Sequence, residues 1–167
     1  MNKKYIMPGV MVGLILIFDQ ITKVYVDSSM HLHESIPVIE GLFSITYVRN
    51  PGAAFGFLAG ASQLFRSIFF VAVAVLAIIL VVHYIWKSRA GEPRLTFALS
   101  LILSGAVGNL IDRVRLGEVI DFLDVYIGSI HWPAFNVADS AISVGAVILF
   151  AELVRHGRGK DSGSQET

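Results

Sequence analysis

Hydrophobic and polar positions fall along this chain in long blocks, not in the short periods of a soluble domain. Four apolar blocks approach or exceed the ~20 residues a helix needs to cross hydrocarbon. They run from about Tyr5 to Val26, Leu64 to Trp86, Leu95 to Ile111 and Ala138 to Val154. Polar loops separate them at Asp27–Gln63, Lys87–Arg94 and Asp112–Val137. The pattern predicts an all-α membrane protein with four transmembrane helices in one domain over residues 1–156. Residues 157–167 are polar and glycine-rich, and predict a disordered tail. Lys3 and Lys4 ahead of the first apolar run resemble the start of a signal peptide, but no small-residue cleavage pattern follows. That block therefore reads as an uncleaved first span.

The longer loops carry their own patterns. Ile36–Arg49 is rich in β-branched and aromatic residues around a Glu40-Gly41 turn, which predicts a hairpin. Val119–His131 adds a second extended stretch about Gly128-Ser129, so the two loops together predict a small β-cradle. Phe55–Phe65 is expected to hold a short interfacial helix. Within the spans, small residues recur four apart at Gly9 and Gly13, at Ser100, Ser104 and Gly108, and at Ala141 and Gly145. Such spacing lets helix backbones approach closely where lipid supplies no hydrophobic drive between them.

Basic residues orient the bundle. Lys3 and Lys4, then Lys87, Arg89 and Arg94, then Arg155, Arg158 and Lys160 fall on one side of an even number of spans. That side is expected to be the cytoplasm, which puts both termini inside and the loops with Asn50, Asp121 and Asn136 outside.

Composition narrows the chemistry. Only 16% of residues are charged, against roughly 25% in a soluble domain, and the mean hydropathy is +0.68. A net charge of zero leaves no basic excess to neutralise phosphates, so no nucleic-acid partner is expected. The absence of cysteine excludes thiol proteases, thiol redox chemistry and Cys-ligated metals. His31, His33, His83, His131 and His156 form no His-Glu-x-x-His zinc pattern, and no serine sits in a Gly-x-Ser-x-Gly elbow. Any hydrolysis falls to carboxylates.

Two carboxylates stand out because each lies at the edge of an apolar segment, where a charge loses hydration. Asp121 is flanked by Val119, Ile120, Phe122 and Leu123, and Asp139 by Val137 and Ala138. Asn136 and Asp139, three apart, also fit a capping box with Asp in place of Glu; taken alone, this favours a cap over a catalytic site. Asp19 and Lys23 share a helix face as an i,i+4 pair. Asn109, Asp112 and Arg113 form a polar stripe at the end of the third span. Arg113 could snorkel to headgroups, but Asn109, one turn deeper, needs partners. Asn50-Pro51-Gly52 reads as a turn whose glycine also permits close backbone approach by a ligand.

Five motifs occur in order across the four spans: Phe18-Asp-Gln-Ile-Thr-Lys23, Arg49-Asn-Pro-Gly-Ala-Ala-Phe-Gly56, Gly105-Ala-Val-Gly-Asn-Leu-Ile-Asp-Arg113, Val119-Ile-Asp-Phe122 and Phe135-Asn-Val-Ala-Asp-Ser140. In this the chain resembles the bacterial lipoprotein signal peptidase family (signal peptidase II). The resemblance implies an aspartic endopeptidase of the inner membrane that cuts prolipoproteins just before a diacylglyceryl-modified cysteine. It implies Asp121 and Asp139 as the catalytic pair, with Asp19, Lys23, Asn50, Asn109, Arg113 and Asn136 lining the site beside Gly52. No cofactor or metal is expected, the partners are the lipidated precursor and membrane lipid, and the protein is taken as a monomer. Outside this family, intramembrane acids and amides also suit a small proton- or ion-coupled transporter, or a scaffold in which they only cap and join helices.

Overall fold

The computed structural model describes residues 6–52, 58, 60–88 and 92–163, with side chains described as far as Arg155. Lys3, Lys4 and Arg89, which bear on orientation, lie outside those residues. Among the described residues, four helices are long and apolar enough to cross a membrane. They are α1 (Ile6–Ser29), α2 (Gln63–Lys87), α3 (Pro93–Leu116) and α4 (Val137–Gly163). α3 is the central helix: 61% of its apolar window is buried, against 6% for α2. It packs on α1, α2 and α4.

Local chemistry sets the helix ends. Pro93 opens α3, where a missing N–H costs nothing. Gly117, at φ 76°, closes it, its N–H donating to the Arg113 carbonyl. Arg113 and Arg115 in the last turn suit the negative end of the dipole. α3 therefore outruns the Ile111 end placed by hydropathy, because its last turn is helical without being apolar. α4 likewise continues to Gly163, where the composition predicts a disordered tail; extending an existing helix adds a hydrogen bond per residue with no new nucleation. Of the interfacial helix expected at Phe55–Phe65, residues 55–57 and 59 lie outside the described residues. Leu58 and Gly60 lie in a turn, and 63–65 belong to α2, whose Ser62 cap accepts from the Phe65 N–H.

The loops pair into an antiparallel sheet in the order β1 (Ser35–Ile39), β2 (Phe43–Asn50), β3 (Val119–Ile127) and β4 (Ile130–His131). Gly41 and Gly128 take positive φ at the two tight turns, as their place in the sequence predicts. Val48 pairs with Asp121 and Asn50 with Val119, which sets the end of β2 beside the start of β3. After β4 the chain doubles back: the Phe135 N–H donates to the Leu123 carbonyl, and the Phe135 carbonyl accepts from Phe122 and Leu123. This pairing delivers Asn136 and the start of α4 beside Asp121. Beneath the sheet, Val26, Tyr47, Ile120 and Phe122 form a buried apolar cluster that anchors it to the end of α1.

Small residues work where α3 meets α4. A Cβ on Gly105 would collide with the Ala138 carbonyl, and one on Gly145 would stand 2.8 Å from the Ala98 carbonyl. Gly9 and Gly13 face open space, so the close packing expected of that pair is absent; spacing alone does not reveal which helix face meets a neighbour. Gly105→Ala is therefore expected to cost about 1–3 kcal/mol through overpacking and to lower Tm in detergent, while Gly9→Ala leaves Tm unchanged. Equal Tm for both variants would contradict this packing.

Candidate active site

A buried cation organises the outer ends of the helices. Lys23 Nζ lies 2.9 Å from Asp19 Oδ2 and 2.8 Å from Asp112 Oδ2, with all three side chains 1% exposed. It also donates to Asn109 Oδ1 at 3.0 Å. The i,i+4 pair is thus half of a three-charge cluster bridging α1 and α3. Two carboxylates against one ammonium leave an excess negative charge, which neutral donors satisfy. Gln20 Nε2 donates to Asp19 and Asp112, the Ile120 N–H to Asp112, and the Ala138 N–H to Asp19 Oδ1 at 2.9 Å. That last bond ties a free N–H in the first turn of α4 to a side chain of α1. Gly108 makes room: a Cβ there would stand 2.6 Å from Asp19 Oδ2.

Asn109 carries this cluster to Asp139. With its oxygen occupied by Lys23, its Nδ2 donates to Asp139 Oδ1 at 2.7 Å. Asn136 makes the remaining link. Its Oδ1 accepts from the Asp139 N–H at 2.9 Å, and its own N–H donates to Asp139 Oδ2 at 3.2 Å, which is the capping box in full. At the same time its Nδ2 donates to Asp121 Oδ1 at 2.7 Å. The residue that caps α4 therefore also holds Asp121.

Asp121 is held from both sides. Asn50 Nδ2 donates to its Oδ2 at 2.9 Å, opposite the Asn136 contact. Asn50 is itself fixed by the Gly52 N–H, which donates to its Oδ1 at 2.8 Å. Asp121 and Asp139 both line one open cavity of about 710 Å³, together with Arg49, Asn50, Trp132, Phe135 and Ser143. Burial, and then the neighbouring Asp139 charge, push the Asp121 carboxyl up to about 7, against the pull of Asn50 and Asn136.

Arg113 and Gly52 share one neighbour, Phe70 of α2. Arg113 is half-buried in the last turn of α3. It donates to the Asn109 carbonyl of its own helix, and its guanidinium lies 5.4 Å from the Phe70 ring centroid, a cation–π contact. Gly52, at φ 90°, makes its close approach to that same Phe70 ring, where a Cβ would collide. Sequence reasoning passed over Gln20 and Asp112 as site residues. An acid in the polar stripe beside Asn109 was the available signal for Asp112; nothing local marks Gln20.

A bacterial membrane enzyme solved by the in meso method at 2.3 Å resolution has the same fold, with a TM-score of 0.82, 33% identity and 96% of each chain covered. The class is thereby defined as a membrane-embedded enzyme of four helices and a small sheet. Residues 11–155 match the family model described as signal peptidase (SPase) II. The chain is 55% identical over 155 residues to the lipoprotein signal peptidase of Syntrophus aciditrophicus (strain SB), covering 93% of this chain and 96% of that protein. It is 57% identical over 145 residues to that of Geobacter sulfurreducens, with 87% and 89% covered. The chain belongs to the signal peptidase II family and is a membrane peptidase, an enzyme of the hydrolase class.

Removing Lys23 would strand two buried carboxylates, a loss of roughly 3–5 kcal/mol. Lys23→Met should accordingly unfold at much lower temperature or denaturant than the parent in the same detergent. A variant as stable as the parent would contradict the role given to the cation.

Proposed function

We propose that this protein is a lipoprotein signal peptidase that hydrolyses the peptide bond just before the diacylglyceryl-modified cysteine of a prolipoprotein, releasing the signal peptide. Asp121 and Asp139 are the catalytic pair. The observation that carries this reading is that both acids open on one cavity while Asn136 holds them together. Two acids that face one cavity and are held by one asparagine share one proton and titrate as a pair. Asp139, at the positive end of α4, is the ionised partner, and Asp121, in its drier setting, carries the proton.

A water between the two gives a proton to Asp139 as its oxygen attacks the scissile carbonyl, and Asp121 donates its proton to the carbonyl oxygen. Collapse of the tetrahedral intermediate breaks the C–N bond. The proton on Asp139 passes to the leaving amine and that on the hydroxyl returns to Asp121, which regenerates the pair. Asn50 and Asn136 keep Asp121 aimed at the cavity, while Asn109 and the Asp19–Lys23 cluster hold Asp139. Gly52 and Arg113, which both meet Phe70, position Asn50 and Asn109 in turn.

Acyl chains stay in hydrocarbon beside the helices while the scissile bond meets water at the rim. Basic residues near Lys87 and Arg94 orient the bundle with both termini in the cytoplasm and the cavity on the exported side of the inner membrane. The peptidase domain spans residues 1–156 and acts as a monomer.

Incubating the purified protein with a diacylglyceryl-modified precursor and weighing the products tests the assignment. Cleavage before the lipidated cysteine is expected, with Asp121→Asn and Asp139→Asn each reducing it by roughly 10²–10⁴-fold while remaining folded. The parent rate should fall as pH rises through about 7, where the pair loses its last proton. Near-parental turnover by either variant, or a rate that climbs through that pH, would contradict the pair.

A further inference from the structure

Ser143 sits on α4 four residues beyond Asp139, on the same helix face. It is exposed and lines the cavity that holds both acids, beside Ser140 and Val144. Its position falls within the Val137–Arg155 span. Hydroxyls in apolar helices normally satisfy themselves against the preceding turn, and those nearby do. Thr22 donates to the Phe18 carbonyl, Ser100 to Thr96, Ser104 to Ser100 and Ser140 to Asn136. Ser143 makes no hydrogen bond to any described residue. A hydroxyl left unpaired against hydrocarbon is costly, and this one points into the cavity where the substrate is expected.

We infer that the Ser143 hydroxyl donates a hydrogen bond to an ester carbonyl of the substrate's diacylglyceryl group, a lipid-ester contact one turn below the catalytic pair. This rests on the lipoprotein peptidase reading above. A glycerol ester offers acceptor oxygens and no donor, so it needs a hydroxyl or amide at the same depth. The levels of Asp139 and Ser143 differ by about one turn, ~5.4 Å. The path from the scissile bond through the cysteine side chain, sulfur and glycerol to the first ester carbonyl covers that distance. The exposed apolar face below, at Val144 and Val147, then receives the acyl chain. Val144 and Ser143 together give the lipid an apolar seat with one polar checkpoint.

The test compares the full-length enzyme with S143A and S143T on two precursors, one bearing the natural diester and one bearing a dialkyl ether that lacks the carbonyls. The parent enzyme is expected to show a KM about fivefold lower for the diester, the size of one neutral hydrogen bond. S143A should raise the diester KM by about that factor, with the loss in KM and not in kcat because the contact is present before and during the reaction. The preference for diester over ether then collapses towards one, and S143T, which keeps the hydroxyl, restores it. A parent preference that survives in S143A overturns the inference, as does an equal loss on both precursors. Failure of the parent to cleave either precursor would instead overturn the peptidase reading itself.

Discussion

The buried ammonium of Lys23 dictates how the outer ends of the helices and the sheet come together. A charge with 1% exposure at a membrane boundary is tolerable only when it is paired and the pair is hydrogen-bonded. Lys23 has two carboxylates, from α1 and α3, and an amide oxygen from α3. Those carboxylates in turn need donors, and they take them from the start of β3 and the first turn of α4. One cation therefore fixes the mutual position of three helices and a strand. No apolar packing in a bilayer could do this as sharply, since lipid competes on equal terms for apolar surface.

The setting of Asp121 and Asp139 follows from that arrangement. Asn109 must turn its oxygen to Lys23, which leaves its NH₂ for Asp139. Asn136 must cap α4, which directs its NH₂ towards Asp121. Each amide is thus oriented by a structural demand on one side and presents a donor to an acid on the other. Asp121 is drawn in from the sheet by Asn50 at the end of β2, so the β-cradle supplies one half of the pair and the helix bundle the other. Two acids arriving on different scaffolds can be brought close without either backbone being forced. Their cavity remains open beside α4.

Much of this was legible in the residues. Long apolar blocks announce spans because no soluble core needs them, and Glu40-Gly41 and Gly128-Ser129 announce turns because extended segments flank them. Asp121 was conspicuous for having no structural excuse among Val119, Ile120 and Phe122. What the sequence hid depends on contacts between distant segments. Lys23 could be paired with Asp19 from spacing, but its second partner, Asp112, lies on another helix. Gly9 and Gly13 carry the same spacing as the α3 and α4 pairs, yet they meet no neighbour, because spacing defines a helix face and not what it faces. Arg113 lies in the polar stripe of α3, but the ring it meets belongs to α2, which no spacing along α3 reveals. The ambiguity at Asn136 and Asp139 had a different origin: the same geometry serves as cap and as part of the site.

In the proposed mechanism, Asp121 and Asp139 hold a single proton between them in the resting enzyme. Infrared difference spectroscopy of the carboxyl C=O stretch, comparing the parent protein with Asp121→Asn as pH is raised, measures this directly. One protonated carboxyl is expected, which disappears as pH passes about 7 and is missing from the variant's spectrum at the same frequency. A spectrum with no protonated carboxyl below that pH, or one unchanged by the substitution, would contradict it.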